Sequence, residues 1–402
     1  KIAPTINTIS VVMSAILTAA MFVFAPSIST MLGSVEATPV VQVLALSVLV
    51  NGLVSTPAAV LQREFMQKQR TIADQVNTWL GAGISLLLAL MGWGAMSLAV
   101  GRLVASVVAA IIIFLWSPIP YRFGWDSEVA GRLLRFGLPL AASSIVVFAS
   151  SFADQIIVGS MLGAEALGFY VLAFNLASWP VSIFSQPLRA VAPATFSAMK
   201  HDPPRMSRTF ARILAVLSCV AIPACLAISG ASTPVVSFVY GEAWLPAAGV
   251  LVWVAAFAAL RIWFELAYDY LVVQGKSGVV LVIQSVSFVI ALPLMIVVAR
   301  PIGEGGVAAI QLLVGVVVVV PLYALSLKRV GIGGMAMLKA TLLPVAMGIV
   351  VWVAAWLLAG VIPVAFFAAA AGALVALVAI VMLCLWQRSN LMLLRSSFRG
   401  GK

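Results

Sequence analysis

Charged residues and histidine are scarce in this chain of 402 residues. Asp, Glu, Lys and Arg together make up 9% of the residues, there is one His, and 63% of the residues are hydrophobic. A typical globular domain is about 25% charged and about half apolar, so one soluble core cannot absorb this much apolar surface. The composition therefore excludes an ordinary soluble protein and predicts a chain that lies in lipid.

Nucleotide and metal motifs are also missing from the sequence. It contains no Walker A segment, no GxGxxG segment and no cluster with metal-ligand spacing, so we expect no metal, no bound cofactor and no direct use of ATP. The three cysteines, Cys219, Cys225 and Cys384, all fall in apolar stretches. Buried thiols usually behave as small hydrophobes, and we expect no disulfide.

Twelve long apolar stretches dominate what is present. A hydrocarbon layer of about 30 Å needs about 20 residues of helix, and no alternating ten-residue segments typical of a barrel occur. The predicted fold class is therefore an all-α, polytopic membrane protein. The predicted spans are approximately 5–25, 38–61, 71–92, 95–116, 137–160, 164–187, 207–229, 246–272, 278–299, 305–327, 338–360 and 363–386.

The distribution of positive charge predicts an orientation. Twenty of the 23 Lys and Arg residues fall in alternate gaps and at the two ends, whereas the other gaps hold Arg300 alone. Cytoplasmic loops carry an excess of Lys and Arg, so both ends are predicted to be cytoplasmic. The net charge of +11 is then a topology signal, and no basic patch interleaved with aromatics indicates a nucleic-acid partner.

Several motifs occur in a fixed order along the chain. Phe136-Gly137-Leu138-Pro139 is followed by Asp154-Gln155-Ile156-Ile157-Val158-Gly159-Ser160-Met161-Leu162-Gly163 and by Leu167-Gly168-Phe169-Tyr170. Leu61-Gln62-Arg63-Glu64-Phe65 precedes them, and Gly241-Glu242-Ala243-Trp244-Leu245-Pro246-Ala247-Ala248 comes later. This series resembles the polysaccharide transporter flippases of the multidrug, oligosaccharidyl-lipid and polysaccharide exporter superfamily.

The resemblance implies two pseudo-symmetric lobes of six helices, often with an added C-terminal helix pair. On that plan the sequence begins at the family's third helix, so we expect a fragment that lacks the first two helices. The expected divisions are an N-terminal lobe at 1–116, a cytoplasmic connection at 117–136, a C-terminal lobe at 137–327, and the extra pair with its tail at 328–402.

Three ionisable residues of the eighth predicted span follow one another at intervals of four. Arg261, Glu265 and Asp269 therefore share one helix face. Intramembrane charges usually face a cavity or a partner, so Arg261 is a candidate ligand for a lipid-linked diphosphate, with Glu265 and Asp269 as candidate ion-coupling residues. The alternative is a local Arg261–Glu265 pair, with Asp269 emerging at the cytoplasmic surface.

Arg102 and Asp154 are further candidates within spans. Arg102 lies about 10 Å along a helix that enters from outside, so it either lines the cavity or snorkels to the interface. Together with Arg261 it would suit a diphosphate, because guanidinium groups bind phosphate oxygens in a bidentate manner. Asp154 is either an ion-coupling residue or the acceptor of a structural hydrogen bond from a neighbouring helix, which the GxxxG spacing of Gly159 and Gly163 would bring close.

Three polar residues complete the predicted binding set. Asn175 and Gln186 are candidate contacts for sugar hydroxyls, although polar residues also join helices to one another. Arg189 follows the sixth span and either attracts an anionic head group or anchors its loop to acidic lipid.

Three functions remain open at this stage. The first is a flippase that moves an undecaprenyl-diphosphate-linked oligosaccharide across the bacterial inner membrane by alternating access. The resemblance implies H⁺ or Na⁺ coupling for it and a possible polymerase or copolymerase partner. The second is a cation-coupled multidrug or metabolite antiporter, which would need an acidic rather than a cationic lumen. The third is a membrane glycosyltransferase or polymerase, which the short outer loops disfavour.

Overall fold

In the computed structural model, helices make up all the regular structure of the described residues. The described residues are 3–64, 66–118, 120–135, 137, 141, 148, 152–185, 196, 199 and 202–388. No strand occurs among them, so the predicted all-α class is confirmed. The chain forms two compact units, Lys1–Phe152 and Ala153–Lys402.

The first unit is built from four long helices. Gly33 (φ +90°) follows the first helix, and Gly92 (φ +84°) follows the third. Such left-handed glycines end helices without the steric cost that a side chain would have. The four helices are α1 Ala3–Met31, α2 Thr38–Arg63, α3 Gln67–Leu90 and α4 Met96–Trp116.

Small residues bring the helices of the first unit close together. α1 packs along α2, α3 along α4, and α2 against α4. A Cβ atom on Gly101 of α4 would lie 2.9 Å from the Gly81 carbonyl oxygen of α3 and would overlap the Ser85 side chain. Small side chains let backbones approach where lipid supplies no hydrophobic drive, so this contact fixes the spacing of α3 and α4.

The segment after α4 is attached to the start of α1. Asn7 Nδ2 donates a hydrogen bond to the Arg122 carbonyl oxygen at 2.9 Å, and the Gly124 N–H donates to Thr8 Oγ1 at 3.2 Å. The ring of Tyr121 packs edge-on against Phe114, and burial raises the pKa of the Tyr121 phenol. Part of the predicted connection is therefore held against the first unit.

The second unit contains ten helices in its described part. They are α5 Ala153–Leu162, α6 Ala164–Pro180, α7 Pro203–Gly230, α8 Ser232–Tyr240, α9 Pro246–Val273, α10 Ser277–Ile302, α11 Glu304–Val314, α12 Val320–Arg329, α13 Gly334–Val361 and α14 Ala365–Trp386. One turn of π-helix, Val181–Ser185, follows α6, and another, Gly315–Val319, joins α11 to α12. An added residue in a helical ladder produces such a turn, often near functional sites.

Local sequence explains where the helices of the second unit start and stop. The Asp202 carboxylate caps α7 by accepting the Arg205 N–H at 3.0 Å, and Pro203 occupies the first helical position. Gly241 (φ +87°) and Gly275 (φ +73°) follow α8 and α9. These residues are typical helix boundaries, so the limits of α7 and α9 follow from local chemistry.

The core of the second unit centres on α7 and α9. Phe196, Phe210 and Tyr270 are fully buried, and the Tyr270 ring lies 4.9 Å from that of Phe210 and 5.3 Å from that of Phe196. Helix α9 also packs against α6 and α11. It is therefore a central helix of the unit, and its ionisable residues lie among other helices.

Most helices agree with the predicted spans to within a few residues, whereas α1 continues to Met31, beyond the predicted end at 25. Among the described residues, ten helical spans are apolar and long enough to cross a membrane. Helix α3 is long enough but less apolar, because Asp74 and Asn77 lie in it, and α5 is the described end of the predicted span 137–160. Large apolar side chains such as Leu90 and Leu115 are exposed, as lipid-facing residues are. The chain is a multi-pass membrane protein.

Candidate functional site

Arg261 and Glu265 form a loose ion pair on α9. Arg261 Nε lies 3.6 Å from Glu265 Oε1, and the two side chains are 31% and 21% exposed. The Arg261 guanidinium also lies over the Phe174 ring of α6, 5.5 Å from its centre. No hydrogen bond joins the Arg261 side chain to another described residue, and its buried Nε is close to Glu265 Oε1 but forms no hydrogen bond with it. The guanidinium is thus positioned electrostatically but keeps donor capacity.

Asp269 lies two turns further along α9 and is nearly fully buried. Its side chain is covered by protein, and α9 ends one turn later, at Val273. Whether Asp269 faces a cavity or lies at the cytoplasmic surface stays a prediction. The spacing correctly placed all three ionisable residues on one helix. Their roles in binding or coupling stay predictions.

Arg102 is exposed on α4 and has no ion pair among the residues that the structure covers. The preceding residue, Gly101, makes the close contact with α3 described above. The position of Arg102 along the helix is therefore fixed by a tight crossing, whereas its long side chain is free to reach an anion or an interface. Its predicted role in binding an anion stays a prediction.

Asp154, Tyr170 and Gln311 meet in a buried polar cluster, which we call the Asp154 cluster. Tyr170 Oη of α6 and Gln311 Nε2 of α11 each donate to Asp154 Oδ2 of α5 at 2.8 Å. Asp154 is 2% exposed and Tyr170 is fully buried. The structural hydrogen bond that the sequence left open as an alternative for Asp154 is present. A role of this carboxyl group in ion coupling stays a prediction.

Two members of the Asp154 cluster, Tyr170 and Gln311, were not predicted from the sequence to be functional residues. Tyr170 belongs to the quoted motif, but the motif alone does not say what its hydroxyl contacts. Gln311 is an amide in an apolar span, and that was the available signal, because a buried amide in lipid needs a partner. Its contact with Asp154 joins residues 157 positions apart in the chain.

The remaining predicted binding residues are only partly visible. Asn175 is exposed on α6, directly after the Phe174 that contacts Arg261. Gln186 and Arg189 lie outside the described residues. The structure thus places Asn175 and Arg261 on adjoining helices of one unit but brings no sugar-binding set together.

An apolar groove of about 320 Å³ lies on the first unit. Its lining comes from α1 and α2, including Thr18, Phe22 and Leu49, and holds no charged residue. A groove of this kind suits a hydrocarbon chain rather than a diphosphate or a sugar. We therefore base the candidate site on the charged helices, not on this groove.

The charged residues described above can bind ions. No group of three His, Cys, Asp or Glu residues with the geometry of a metal site occurs among the described residues. A partly paired guanidinium can bind an anion, and a buried carboxyl group can exchange a cation or a proton. These are the elements of transport.

Comparison with known sequences gives a consistent set of relatives. A family model described as polysaccharide biosynthesis protein matches residues 2–249. The succinoglycan biosynthesis transport protein ExoT of Rhizobium meliloti is 26% identical over 231 residues, which are 58% of this chain and 47% of ExoT. The lipopolysaccharide biosynthesis protein WzxC of Escherichia coli is 25% identical over 227 residues, 56% of this chain and 46% of WzxC. The chain matches about half the length of these relatives.

Comparison with solved structures gives the same fold. The lipid II flippase MurJ in an inward closed conformation has a TM-score of 0.79 at 15% identity, covering 97% of this chain and 84% of MurJ. An inward-facing multidrug resistance MATE family transporter has a TM-score of 0.66 at 14% identity, covering 81% of this chain and 79% of the transporter. At these identities the likeness shows the fold alone.

Proposed function

Since the chain belongs to the polysaccharide biosynthesis protein family, we propose that it moves a lipid-linked oligosaccharide across the bacterial inner membrane. In this proposal the cargo is an undecaprenyl-diphosphate-linked oligosaccharide, which passes from the cytoplasmic to the periplasmic leaflet by alternating access. The relatives named for succinoglycan transport and lipopolysaccharide biosynthesis support this class of cargo. No covalent step is involved, so the protein acts as a flippase rather than as an enzyme.

The main observation in support of the proposal is that the Arg261 guanidinium is only loosely paired. Its guanidinium lies within a membrane-spanning helix, 3.6 Å from one carboxylate oxygen, without a hydrogen bond to a described residue and with 31% of the side chain exposed. A diphosphate leaving water must exchange its hydration for fixed donors, and a guanidinium with unused N–H groups supplies them. In the absence of the diphosphate, the loose ion pair with Glu265 holds the Arg261 guanidinium in place.

Other residues contribute to the same proposal. Arg102 and Arg189 supply further positive charge for the diphosphate, and Asn175 and Gln186 contact sugar hydroxyls. Asp154, Glu265 and Asp269 are the candidate coupling residues for H⁺ or Na⁺. Both chain ends lie in the cytoplasm, because the basic gaps must face that side. A polymerase or copolymerase is the expected partner that consumes the exported oligosaccharide.

The decisive experiment uses the full-length protein in cells that depend on it for export. Lipid-linked oligosaccharide is measured separately in the two leaflets for wild type, Arg261→Ala and Arg261→Lys at equal protein level. Loss of a charged hydrogen bond costs about 1.5–3 kcal/mol, so Arg261→Ala should lower affinity about 10- to 100-fold and leave cargo in the cytoplasmic leaflet. Arg261→Lys keeps the charge but loses the bidentate geometry and should be intermediate.

Arg132→Ala is the matched control, because it also removes one positive charge. Arg132 is exposed and pairs weakly with Glu128 at 3.9 Å. Normal export by Arg261→Ala would refute the anion-binding role of this residue. Binding of a cationic dye, but not of the lipid-linked diphosphate, by the purified protein would instead support the antiporter.

A further inference from the structure

The Asp154 cluster joins three helices through one carboxylate oxygen. Tyr170 of α6 and Gln311 of α11 both donate to Asp154 Oδ2, and each of these bonds measures 2.8 Å. The other carboxylate oxygen, Oδ1, is buried and has no hydrogen-bond partner among the described residues, and the same is true of Gln311 Oε1. Both partnerless atoms are acceptors, so the cluster lacks a donor rather than an acceptor.

A buried acceptor without a donor is unfavourable, and a buried charge without a counter-charge is more so. A hydrogen on Oδ1 would neutralise the buried carboxylate and so remove the larger of the two costs. The cluster is therefore arranged to take up a single hydrogen ion.

The charged groups on the surrounding helices do not supply a counter-ion. Helix α5 packs against α6, α10 and α11, and Tyr170 is the titratable residue that contacts Asp154 from them. The other ionisable residues of these helices lie in terminal turns: Glu165 at the start of α6, Arg300 at the end of α10 and Glu304 at the start of α11. No ion pair with Asp154 occurs among the described residues.

A metal ion fits the cluster less well than a proton does. Hard cations such as Ca²⁺ and Mg²⁺ take about six or more oxygen ligands, including water or several carboxylates. The cluster offers one carboxyl group, one amide and one phenol, and the next turn of α5 presents the buried apolar residues Ile157 and Val158. A proton needs no coordination shell, so the sparse set of oxygens is sufficient for it.

The ionised form is nevertheless attainable. Asp154 lies in the first turn of α5, where the helix dipole favours negative charge, and it accepts two side-chain hydrogen bonds. Hydrogen bonds to an ionised acceptor are about twice as strong as neutral ones. Deprotonation therefore tightens the link between α5, α6 and α11, and protonation loosens it.

We propose that Asp154 binds and releases one proton, with Tyr170 and Gln311 as positioning residues, and that this proton is the coupling ion. The coupling role rests on the proposed flippase function, whereas proton binding itself does not. A proton that changes the strength of a three-helix contact can bias two conformations of the second unit. In this proposal the ion that Asp154 exchanges is H⁺.

Infrared difference spectroscopy of the purified full-length protein tests the site directly. The C=O stretching band of a protonated carboxyl group is followed across pH in sodium-free buffer for wild type, Asp154→Asn and the control Asp74→Asn, whose carboxylate pairs with Arg70 at an exposed site. Wild type and Asp74→Asn should show a band that disappears as pH rises, and Asp154→Asn should lack it. An unchanged band in Asp154→Asn, or a wild-type band that sodium removes at constant pH, would overturn the proposal.

Tyr170→Phe tests the positioning role and keeps the aromatic packing. Losing a donor to the ionised carboxylate should make the band persist about one pH unit higher. Tyr268→Phe is the control, because Tyr268 lies on α9 and is not bonded to Asp154. If Asp154→Asn fails to fold, the comparison of Tyr170→Phe with Tyr268→Phe tests the proposal instead. The assignment would be refuted if the band disappeared at the same pH in both variants.

The spectroscopic result is independent of cargo. A protein that shows the Asp154 band but moves no lipid-linked oligosaccharide would refute the flippase function and leave the proton site intact. A protein that exports oligosaccharide but lacks the band would refute the site alone.

Discussion

Trp352 of α13 donates its indole N–H to Ser229 Oγ of α7 at 3.1 Å. Ser229 Oγ in turn donates to the Val252 carbonyl oxygen of α9 at 2.6 Å. One chain of hydrogen bonds thus joins the C-terminal helix pair to two core helices. Because hydrogen bonds and close packing drive helix association in lipid, this contact fixes how α13 docks on the second unit.

Gly230→Ala should weaken that docking. A Cβ atom on Gly230 would overlap the Trp352 carbonyl oxygen and lie 3.1 Å from the Ala355 side chain, so the α13 backbone would have to move. Overpacking of this kind costs about 1–3 kcal/mol and should lower Tm in thermal unfolding of the purified protein. Gly360→Ala, also on α13 but with open space around it, is the control and should not lower Tm. Equal Tm values for both variants would contradict the close contact.

Gly101→Ala should disturb the first unit in the same way. The added methyl group would approach the Gly81 carbonyl and Ser85 N, each at 2.9 Å, and push α4 away from α3. We expect a loss of about 1–3 kcal/mol, measured as a lower Tm, and displacement of the adjacent Arg102. Gly83→Ala on α3 meets nothing within 4 Å and serves as the reference. If Gly83→Ala is as damaging as Gly101→Ala, the crossing is not what limits stability.

Asn7→Ala should release the segment that follows α4. The change removes the 2.9 Å hydrogen bond to the Arg122 carbonyl oxygen. The net cost is about 0.5–1.5 kcal/mol, so limited proteolysis should cut residues 117–126 several times faster. Asn51→Ala replaces an exposed asparagine of α2 and should leave the cleavage rate unchanged. Identical digestion of the two variants would show that Asn7 does not hold the segment.

Glu265→Gln should strengthen anion binding at Arg261. It removes a negative charge 3.6 Å from the guanidinium and keeps the size of the side chain. Partly exposed pairs of this kind contribute about 0.2–1 kcal/mol, so affinity for a lipid-linked diphosphate should rise about 1.4- to fivefold in a binding titration. Glu242→Gln, at an exposed position between α8 and α9, provides the comparison. Weaker binding by Glu265→Gln would mean that the carboxylate orients Arg261 instead of competing with the anion.

Hydropathy and spacing predicted much of this protein because both act locally. Helix α9 begins at Pro246 and ends at Val273, against a predicted span of 246–272, since an apolar run between polar termini leaves little choice in lipid. The Arg261–Glu265 pair followed from a spacing of four, because residues so spaced are neighbours on any helix.

Contacts between residues that are far apart along the chain could not be predicted from the sequence. Nothing in one span specifies that Gln311 donates to Asp154, because the bond depends on how α5 and α11 pack. The sequence left the burial of Asp269 open for a similar reason, since the position of a residue along a helix does not reveal which helices cover it. The π turn at Gly315–Val319 was also missed, because a run of valines has the same hydropathy with or without an extra residue in the turn.

That extra residue changes which side chains face the same way. In an unbroken α-helix of about 3.6 residues per turn, Gln311 and Tyr323 would be about 120° apart, whereas one inserted residue reduces the separation to about 20°. Gln311 is thereby aligned with a tyrosine whose ring stacks on Phe264 of α9. Deleting one residue of the valine run would let α11 and α12 join as an unbroken α-helix and would leave the amide and the phenol about 20° apart, so the alignment depends on the π turn only while the extra residue is present.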